Sequence, residues 1–229
     1  MKQPEITKRH ADVLRRCAKY SQLAYNDSIE NGQYIEDKET DCQLFIIEEA
    51  DDIIIAGRGT TSLKDWHIDF QVWRTKVSYL KGARVHAGFM KQYNAVRQRV
   101  YDRVNAWLLK ETGGKIICTG HSLFGAIATV MATDMGLRYE VPVFCASFGS
   151  PRVGNSRFAR IFSNSVDVAY RCVYRNDPIS FTPLPLRFEH VRNRLILKGD
   201  TEYCSYFVSV DDHSMENYIK ALGEDVLGI

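Results

Sequence analysis

The feature that most constrains the fold is an alternation of strand and helix patterns in the second half of the chain. Two short apolar runs, Lys115–Thr119 and Val141–Ser147, flank the Ala-rich segment Leu123–Met135, which has the composition of a buried helix. A short helix is expected at Arg157–Phe162 and a strand at Ala169–Tyr174. Strand, helix and strand in this order imply right-handed crossovers and a mostly parallel central sheet flanked by helices.

The N-terminal half adds an antiparallel edge to this sheet. Gln43–Ile47 and Ile53–Ala56 are β-branched runs separated by a polar turn, which predicts a hairpin. Apolar residues recur at helical spacing over residues 7–24 and again over residues 89–107. The second helix is expected to end at Gly113-Gly114, and the Ala-rich helix at Gly136. The remaining predicted elements are a strand at Leu195–Leu197 and a helix at Ser214–Leu222. No repeat or linker interrupts the sequence, so we expect one domain over residues 1–229.

The charge and hydropathy of the chain exclude several kinds of partner. A net charge of +2 and a pI near 8.2 are too mild to indicate binding of nucleic acid or of an anionic membrane. No run approaches the roughly 18 apolar residues that a transmembrane helix needs. The first ten residues lead into no apolar segment, so we expect a cytoplasmic protein, or a secreted one if a leader has been removed. We expect a monomer.

Six cysteines are present, and none forms a Cys-x-x-Cys pair. This spacing argues against zinc ribbons and thioredoxin-like sites. Several of them lie in apolar strand-like runs, which favours buried free thiols, with disulfides as the alternative for a secreted protein. No cluster of metal ligands is evident, so we expect neither a metal nor another cofactor.

Ser122 is the candidate nucleophile. The predicted strand before it runs directly into the Ala-rich helix, so Ser122 lies on a sharp turn at the positive end of that helix. Backbone N–H groups there can bind an oxyanion. A serine at this place could instead merely cap the helix. A nucleophilic serine also needs a histidine to take its proton and an acid to orient that histidine.

Asp177 and His213 follow Ser122 in the order serine, acid, histidine. Asp177 comes at the carboxyl end of the strand AYRCVY, where site residues of parallel sheets belong. Asp167 and Asp200 are alternatives that end no strand so clearly. His213 stands in a loop before the last helix, whereas His190 leads toward the strand at Leu195 and is interpreted as structural.

A second loop, Arg58-Gly59-Thr60-Thr61, follows the strand of the hairpin. Glycine lets backbone approach a ligand closely, and a threonine hydroxyl can add a donor. The alternative is an ordinary polar loop after a strand.

Six ordered motifs resemble the fungal-type triacylglycerol lipases, also called class 3 lipases, of the α/β-hydrolase superfamily. The resemblance covers about residues 15–222. The motifs are GRGTTSLKDW at 57–66, VHAGF at 85–89, TGHSL at 119–123 with GA at 125–126, FGSPRVGN at 148–155, RNDPISFTPLP at 175–185 and HSMENY at 213–218.

This resemblance implies an α/β-hydrolase fold and a lipase or esterase that acts on acyl esters. It implies Ser122 as nucleophile, Asp177 as acid and His213 as base, with Thr60 and the backbone N–H of Leu123 as oxyanion donors. It also implies a lid at about Leu63–Trp73. The aromatic residues of that segment could contact a lipid interface transiently or be buried in the core.

Phe124 departs from the family pattern, which has glycine two residues after the serine. Glycine allows the helix to pack closely on a neighbouring strand, and overpacking costs about 1–3 kcal/mol. Either small neighbours make room for the ring, with Ala146 and Ser147 as candidates, or the turn shifts and catalysis is impaired. The second case would give a non-catalytic lipid-binding protein on the same fold.

Overall fold

The computed structural model of the protein describes residues 6–26, 28–59, 74–78, 80–185, 187–198 and 209–225. Its helices are α1 (Lys8–Leu23), α2 (Ala87–Leu108), α3 (Ser122–Arg138), α4 (Ser156–Ser165) and α5 (Met215–Asp225), with 3-10 turns η1 (Pro178–Phe181) and η2 (Val210–His213). Its strands are β1 (Gly32–Asp37), β2 (Cys42–Glu49), β3 (Asp52–Gly57), β4 (Arg74–Lys76), β5 (Arg84–His86), β6 (Ile116–His121), β7 (Val143–Phe148), β8 (Val168–Tyr174) and β9 (Arg194–Leu197).

Seven strands form the central sheet in the order β1-β2-β3-β6-β7-β8-β9. Within this sheet β3, β6, β7, β8 and β9 are parallel, and β1 and β2 add two antiparallel strands at the N-terminal edge. The predicted hairpin and the mostly parallel sheet are therefore confirmed. Strand β1 was not expected, since only one of its side chains, Ile35, is buried. The small two-stranded sheet of β4 and β5 was not predicted from the sequence either.

Helices cover both faces of the sheet, and each face has its own apolar core. Helices α2, α3 and α4 pack on one face, which includes Cys118 and Cys145; α1 and α5 pack on the other, which includes Ile117 and Ala146. Adjacent strand residues point to opposite faces. This arrangement puts the carboxyl ends of β3, β6, β7 and β8 at one edge, where a site can form.

Two predicted helix ends were wrong. Helix α2 ends at Leu108, before Gly113-Gly114, and α3 continues through Gly136 to Arg138. A Cβ atom at Gly136 would lie 1.8 Å from the carbonyl oxygen of Ser165, so this glycine allows helix contact and does not stop the helix.

The described cysteines are buried free thiols, as predicted; Cys204 lies outside the described residues. Among the described residues, no helix combines the length and apolar composition that crossing a bilayer requires.

Candidate active site

Ser122 occupies a strained turn between β6 and α3, which follow each other without a connecting residue. Its φ angle is +57°, a conformation that costs a non-glycine residue about 1–3 kcal/mol. His121, the N-cap residue, makes no side-chain hydrogen bond to the first turn of α3. The first N–H groups of the helix, including that of Leu123, therefore donate no hydrogen bond to an N-cap side chain. Ser122 is the first residue of α3, so it does not act as the N-cap.

The ring of Phe124 packs over two glycines that face each other on neighbouring strands. Gly57 and Gly120 are register partners on β3 and β6. A Cβ atom at Gly57 would lie 2.2 Å from Cε2 of Phe124, and one at Gly120 would lie 2.7 Å from its Cδ1. Phe124 is 1% exposed. The room for this ring is therefore supplied by two missing side chains on the sheet.

The expectation that Ala146 and Ser147 make this room was wrong. Ala146 belongs to the core on the opposite face of the sheet. Ser147 contacts the next residue of the helix, since a Cβ atom at Gly125 would lie 3.3 Å from the Cβ of Ser147 and 3.0 Å from the carbonyl oxygen of Gly120. Gly125 thus supports the close contact between α3 and the sheet.

Asp177 and His213 form a buried hydrogen-bonded pair. Nδ1 of His213 lies 2.8 Å from Oδ2 of Asp177, and the two residues are 2% and 0% exposed. The other carboxylate oxygen of Asp177 accepts a hydrogen bond from the N–H of Ile179, 2.9 Å away, as it caps η1. Asp177 thereby fixes the orientation of the His213 ring.

Ser122 and His213 line the same cavity, of about 530 Å³, together with Gln22, Tyr25 and Met215. Nε2 of His213 is buried and has no hydrogen-bond partner among the described residues, so no hydrogen bond joins it to Ser122. Hydrogen bonds of this kind are often long until substrate binds. The ring nitrogen that a base would use therefore makes no hydrogen bond to a described residue, and its ring lines the cavity that Ser122 also lines.

Gly149 makes room for the acid–histidine pair. Its φ angle is +58°, and a Cβ atom there would lie 2.5 Å from Oδ2 of Asp177 and 2.9 Å from Nδ1 of His213. Any other residue would displace one partner of the pair. This contact explains the glycine in the FGSPRVGN motif.

Tyr218 is a residue of the candidate site that the sequence interpretation missed. Its hydroxyl donates a hydrogen bond to Oδ2 of Asp177 at 2.5 Å, from the first turns of α5. Burial, and then the charge of Asp177, raise the pKa of Tyr218 well above its usual value, so the hydroxyl stays a donor. Asp177 consequently accepts three hydrogen bonds. The position of Tyr218 within HSMENY was a signal that could have indicated it.

Tyr25, which follows α1, connects the nucleophile turn to the loop after β3. Its hydroxyl lies 2.8 Å from Nδ1 of His121 and accepts the N–H of Gly59 at 3.2 Å. Burial raises the pKa of Tyr25 to about 12. Burial, and then the charge that His213 can carry, hold the pKa of His121 well below its ordinary value. The Tyr25 hydroxyl therefore keeps its proton and donates a hydrogen bond to Nδ1 of a neutral His121.

Replacing Tyr25 by Phe is expected to lower kcat about 10-fold, because a lost hydrogen bond of ~1.4 kcal/mol frees the loop and the turn to move apart. Ester hydrolysis under saturating substrate measures this effect. Tyr20→Phe is the matched control, since its hydroxyl contacts Glu49 and does not line the cavity. Equal losses in the two variants would contradict this role of Tyr25.

The alternative acid and base lie elsewhere. Oδ2 of Asp167 accepts the N–H of Val143 at the amino end of β7, away from the site. Nε2 of His190 lies 2.6 Å from the carbonyl oxygen of Ser180. Asp200 lies outside the described residues. These contacts agree with the structural interpretation of His190.

His190 makes stability pH-dependent. Burial, and then the positive charge of Arg171, lower its pKa from 6.5 to about 3. Between these two pKa values His190 is protonated in the unfolded chain and neutral in the folded chain. The free energy of unfolding therefore falls as the pH drops below 6.5. Between pH 7 and pH 5 the loss is about 2 kcal/mol. Urea unfolding of wild type and His190→Gln at both pH values measures this loss, which should be smaller in the variant. Equal losses of unfolding free energy in the two proteins would contradict the role of His190.

The predicted oxyanion donor Thr60 and the predicted lid at Leu63–Trp73 lie outside the described residues. Gly59, directly before Thr60, is described, and a Cβ atom there would lie 2.9 Å from the Cβ of Ser122. The loop after β3 therefore approaches the nucleophile closely. In the part of the chain that the structure describes, no group of three or more potential ligands could hold a metal ion.

The site unites a helix N-terminus without a side-chain cap, a serine on a strained turn and a histidine oriented by a carboxylate. These groups can deprotonate the serine, stabilise an oxyanion and reprotonate a leaving group. Acyl transfer needs this set of functions.

Comparison with known proteins agrees with this chemistry. The family model described as lipase (class 3) matches residues 54–186. A secreted mono- and diacylglycerol lipase 1 from Fusarium solani is 29% identical over 69% of this chain and 47% of its own length. The chain spans about half the length of the curated relatives it matches.

Solved structures share the fold. A triacylglycerol lipase, described as having a serine protease triad as its catalytic centre, has a TM-score of 0.82 with 23% identity over 95% of this chain and 98% of its own. A lipase from Rhizopus microsporus var. chinensis has a TM-score of 0.71 and 28% identity, covering 78% of this chain and 70% of its own. The α/β-hydrolase fold predicted from the sequence is confirmed.

Proposed function

Since the chain belongs to the class 3 lipase family, whose model spans more than half of it, we propose that it is a serine ester hydrolase that cleaves acylglycerols. The observation that carries this proposal is the buried hydrogen bond between His213 and Asp177 beside the cavity that Ser122 lines. Its catalytic residues are Ser122, His213 and Asp177.

The first half-reaction acylates Ser122. Nε2 of His213 takes the Ser122 proton as Oγ attacks the ester carbonyl, and Asp177 balances the charge of the imidazolium. The amides of Leu123 and Thr60 bind the oxyanion. The intermediate collapses when the C–O bond breaks and His213 protonates the departing alcohol.

The second half-reaction releases the acid. His213 removes a proton from water, the hydroxide attacks the acyl carbonyl, and Ser122 leaves with the proton returned by His213.

Acylglycerol is the proposed substrate because two of the matched relatives are named as mono- and diacylglycerol lipases. Three apolar side chains are exposed on or near the turns that hold the acid and the base: Phe181 at 48%, Leu184 at 73% and Val210 at 58%. They support transient contact with a lipid interface. We retain a single domain over residues 1–229 and a monomer as parts of this proposal.

The expected cytoplasmic location receives no support from these relatives, two of which are named as secreted. We adopt the secreted alternative, which rests on those names.

The non-catalytic alternative assumed that Phe124 disturbs the turn. Gly57 and Gly120 accommodate its ring, which removes the reason for this alternative.

The proposal is tested by hydrolysis of p-nitrophenyl esters of increasing acyl length and of monoacylglycerol, diacylglycerol and phospholipid emulsions. Wild type should hydrolyse acylglycerols, and Ser122→Ala should lose activity by a factor on the order of 10⁴ or more. Ser163→Ala, at an exposed serine on α4 outside the proposed triad, serves as control. Preference for phospholipid would change the substrate class, and activity in Ser122→Ala would refute the mechanism.

A further inference from the structure

Arg171 is a buried cation on β8 that is 6% exposed. Among the described residues, its Nε has no hydrogen-bond partner. None of the described carboxylates forms an ion pair with it. A buried unpaired charge costs several kcal/mol, so a structure retains one only where something balances it.

The surroundings of Arg171 add to the positive charge. Its register partner on β9 is Arg194, and like charges directly opposite each other destabilise a sheet. Arg152 is also close enough that both arginines lower the pKa of Arg171, after burial, to about 10. At neutral pH Arg171 therefore remains a cation. Nη1 of Arg152 is already used by the carbonyl oxygen of Pro183, 2.8 Å away.

Ser180, on η1, supplies a second unsatisfied group. Its Oγ is buried and has no hydrogen-bond partner among the described residues. Its carbonyl oxygen lies 2.6 Å from Nε2 of His190, whose pKa responds to Arg171, Arg152 and Arg194. The unsatisfied groups are thus an N–H donor and a hydroxyl, which can donate. Their common complement is an acceptor that carries negative charge, and water could not neutralise the arginines.

We propose that Arg171, Arg194 and Ser180 bind a small oxyanion, of the phosphate, sulfate or carboxylate class, beside strands β8 and β9. Guanidinium groups suit this ligand because they form charge-assisted hydrogen bonds with planar or tetrahedral oxyanions. The site is separate from the cavity that Ser122 lines. It joins β8 to η1, the elements on either side of Asp177, so the bound anion would steady the segment that carries the acid.

The test is thermal unfolding of the full chain in potassium phosphate, with potassium chloride at matched ionic strength as reference; sulfate and acetate arms identify the preferred oxyanion. Wild type should show a saturable rise in Tm, reaching about 5–10 °C at 100 times Kd. Phosphate stabilises proteins generally, so the variants define the part that belongs to this site.

Two variants decide the outcome. Arg171→Met removes the central cation and should abolish the saturable rise. Arg194→Glu, at an exposed position, places a carboxylate opposite Arg171; it should raise Tm in chloride and make phosphate ineffective. Line broadening of the phosphate ³¹P resonance by wild type, and not by Arg194→Glu, reports binding directly. An equal phosphate response in wild type and Arg194→Glu, or no response in wild type, would overturn the proposal.

Discussion

Replacing Asp177 by Asn is expected to lower kcat/KM for ester hydrolysis about 10⁴-fold while the chain stays folded. The amide keeps the size of the side chain but loses its charge. It can then present an N–H to Nδ1 of His213, which favours the tautomer whose Nε2 carries the proton and cannot act as base. The oxyanion donors remain and give residual activity.

Asp134→Asn is the matched control for this experiment. Asp134 is likewise a buried carboxylate that accepts hydrogen bonds from two tyrosines, Tyr93 at 2.5 Å and Tyr101, but it lies on α3 away from the cavity. The Asp134→Asn variant should be less stable than wild type and should keep its kcat/KM at temperatures where it is folded. If Asp177→Asn kept more than a tenth of wild-type kcat/KM, Asp177 would not be the catalytic acid.

Replacing Phe124 by Ala is expected to destabilise the protein by about 3–5 kcal/mol, because a fully buried ring is removed from between α3 and the sheet. No side chain on Gly57 or Gly120 can fill the space. The turn at Ser122 and the loop after β3 both rest on this packing. A displacement of ~1 Å there should reduce kcat/KM by a factor on the order of 100.

Phe158→Ala separates stability from catalysis. Phe158 is 1% exposed in the same core but lies on α4. It should lose comparable stability in urea unfolding and keep its kcat/KM at temperatures where it is folded. A large gain in rate for Phe124→Ala, or for Phe124→Gly, would instead mean that the ring distorts the active site.

The sheet, and the meeting of Ser122, Asp177 and His213 at one candidate site, could be predicted from the sequence because their signals are local or ordered. The run into Ser122 joins a strand to a helix directly, and Asp177 follows a strand closely enough to lie at the edge of the sheet. His213 was the histidine in the right order with a loop before the last helix.

Other features depend on contacts between distant segments. Gly57 lies 67 residues before Phe124, and their contact follows from the pairing of β3 with β6. Gly136 was interpreted as a stop because its packing against Ser165 arises only when α4 folds back. Tyr25 and Tyr218 contact the site from opposite ends of the chain, and a tyrosine carries no local signal of its partner.

The central claim, that Ser122 is an activated nucleophile, is tested most directly by a fluorophosphonate probe, which bonds covalently to serines that a histidine activates. The intact mass and a peptide map locate the adduct, with Ser122→Ala and His213→Ala as controls. The account predicts one adduct, on Ser122, that is absent in Ser122→Ala and strongly slowed in His213→Ala. Wild-type protein that takes no label, or labels equally in Ser122→Ala, would contradict it.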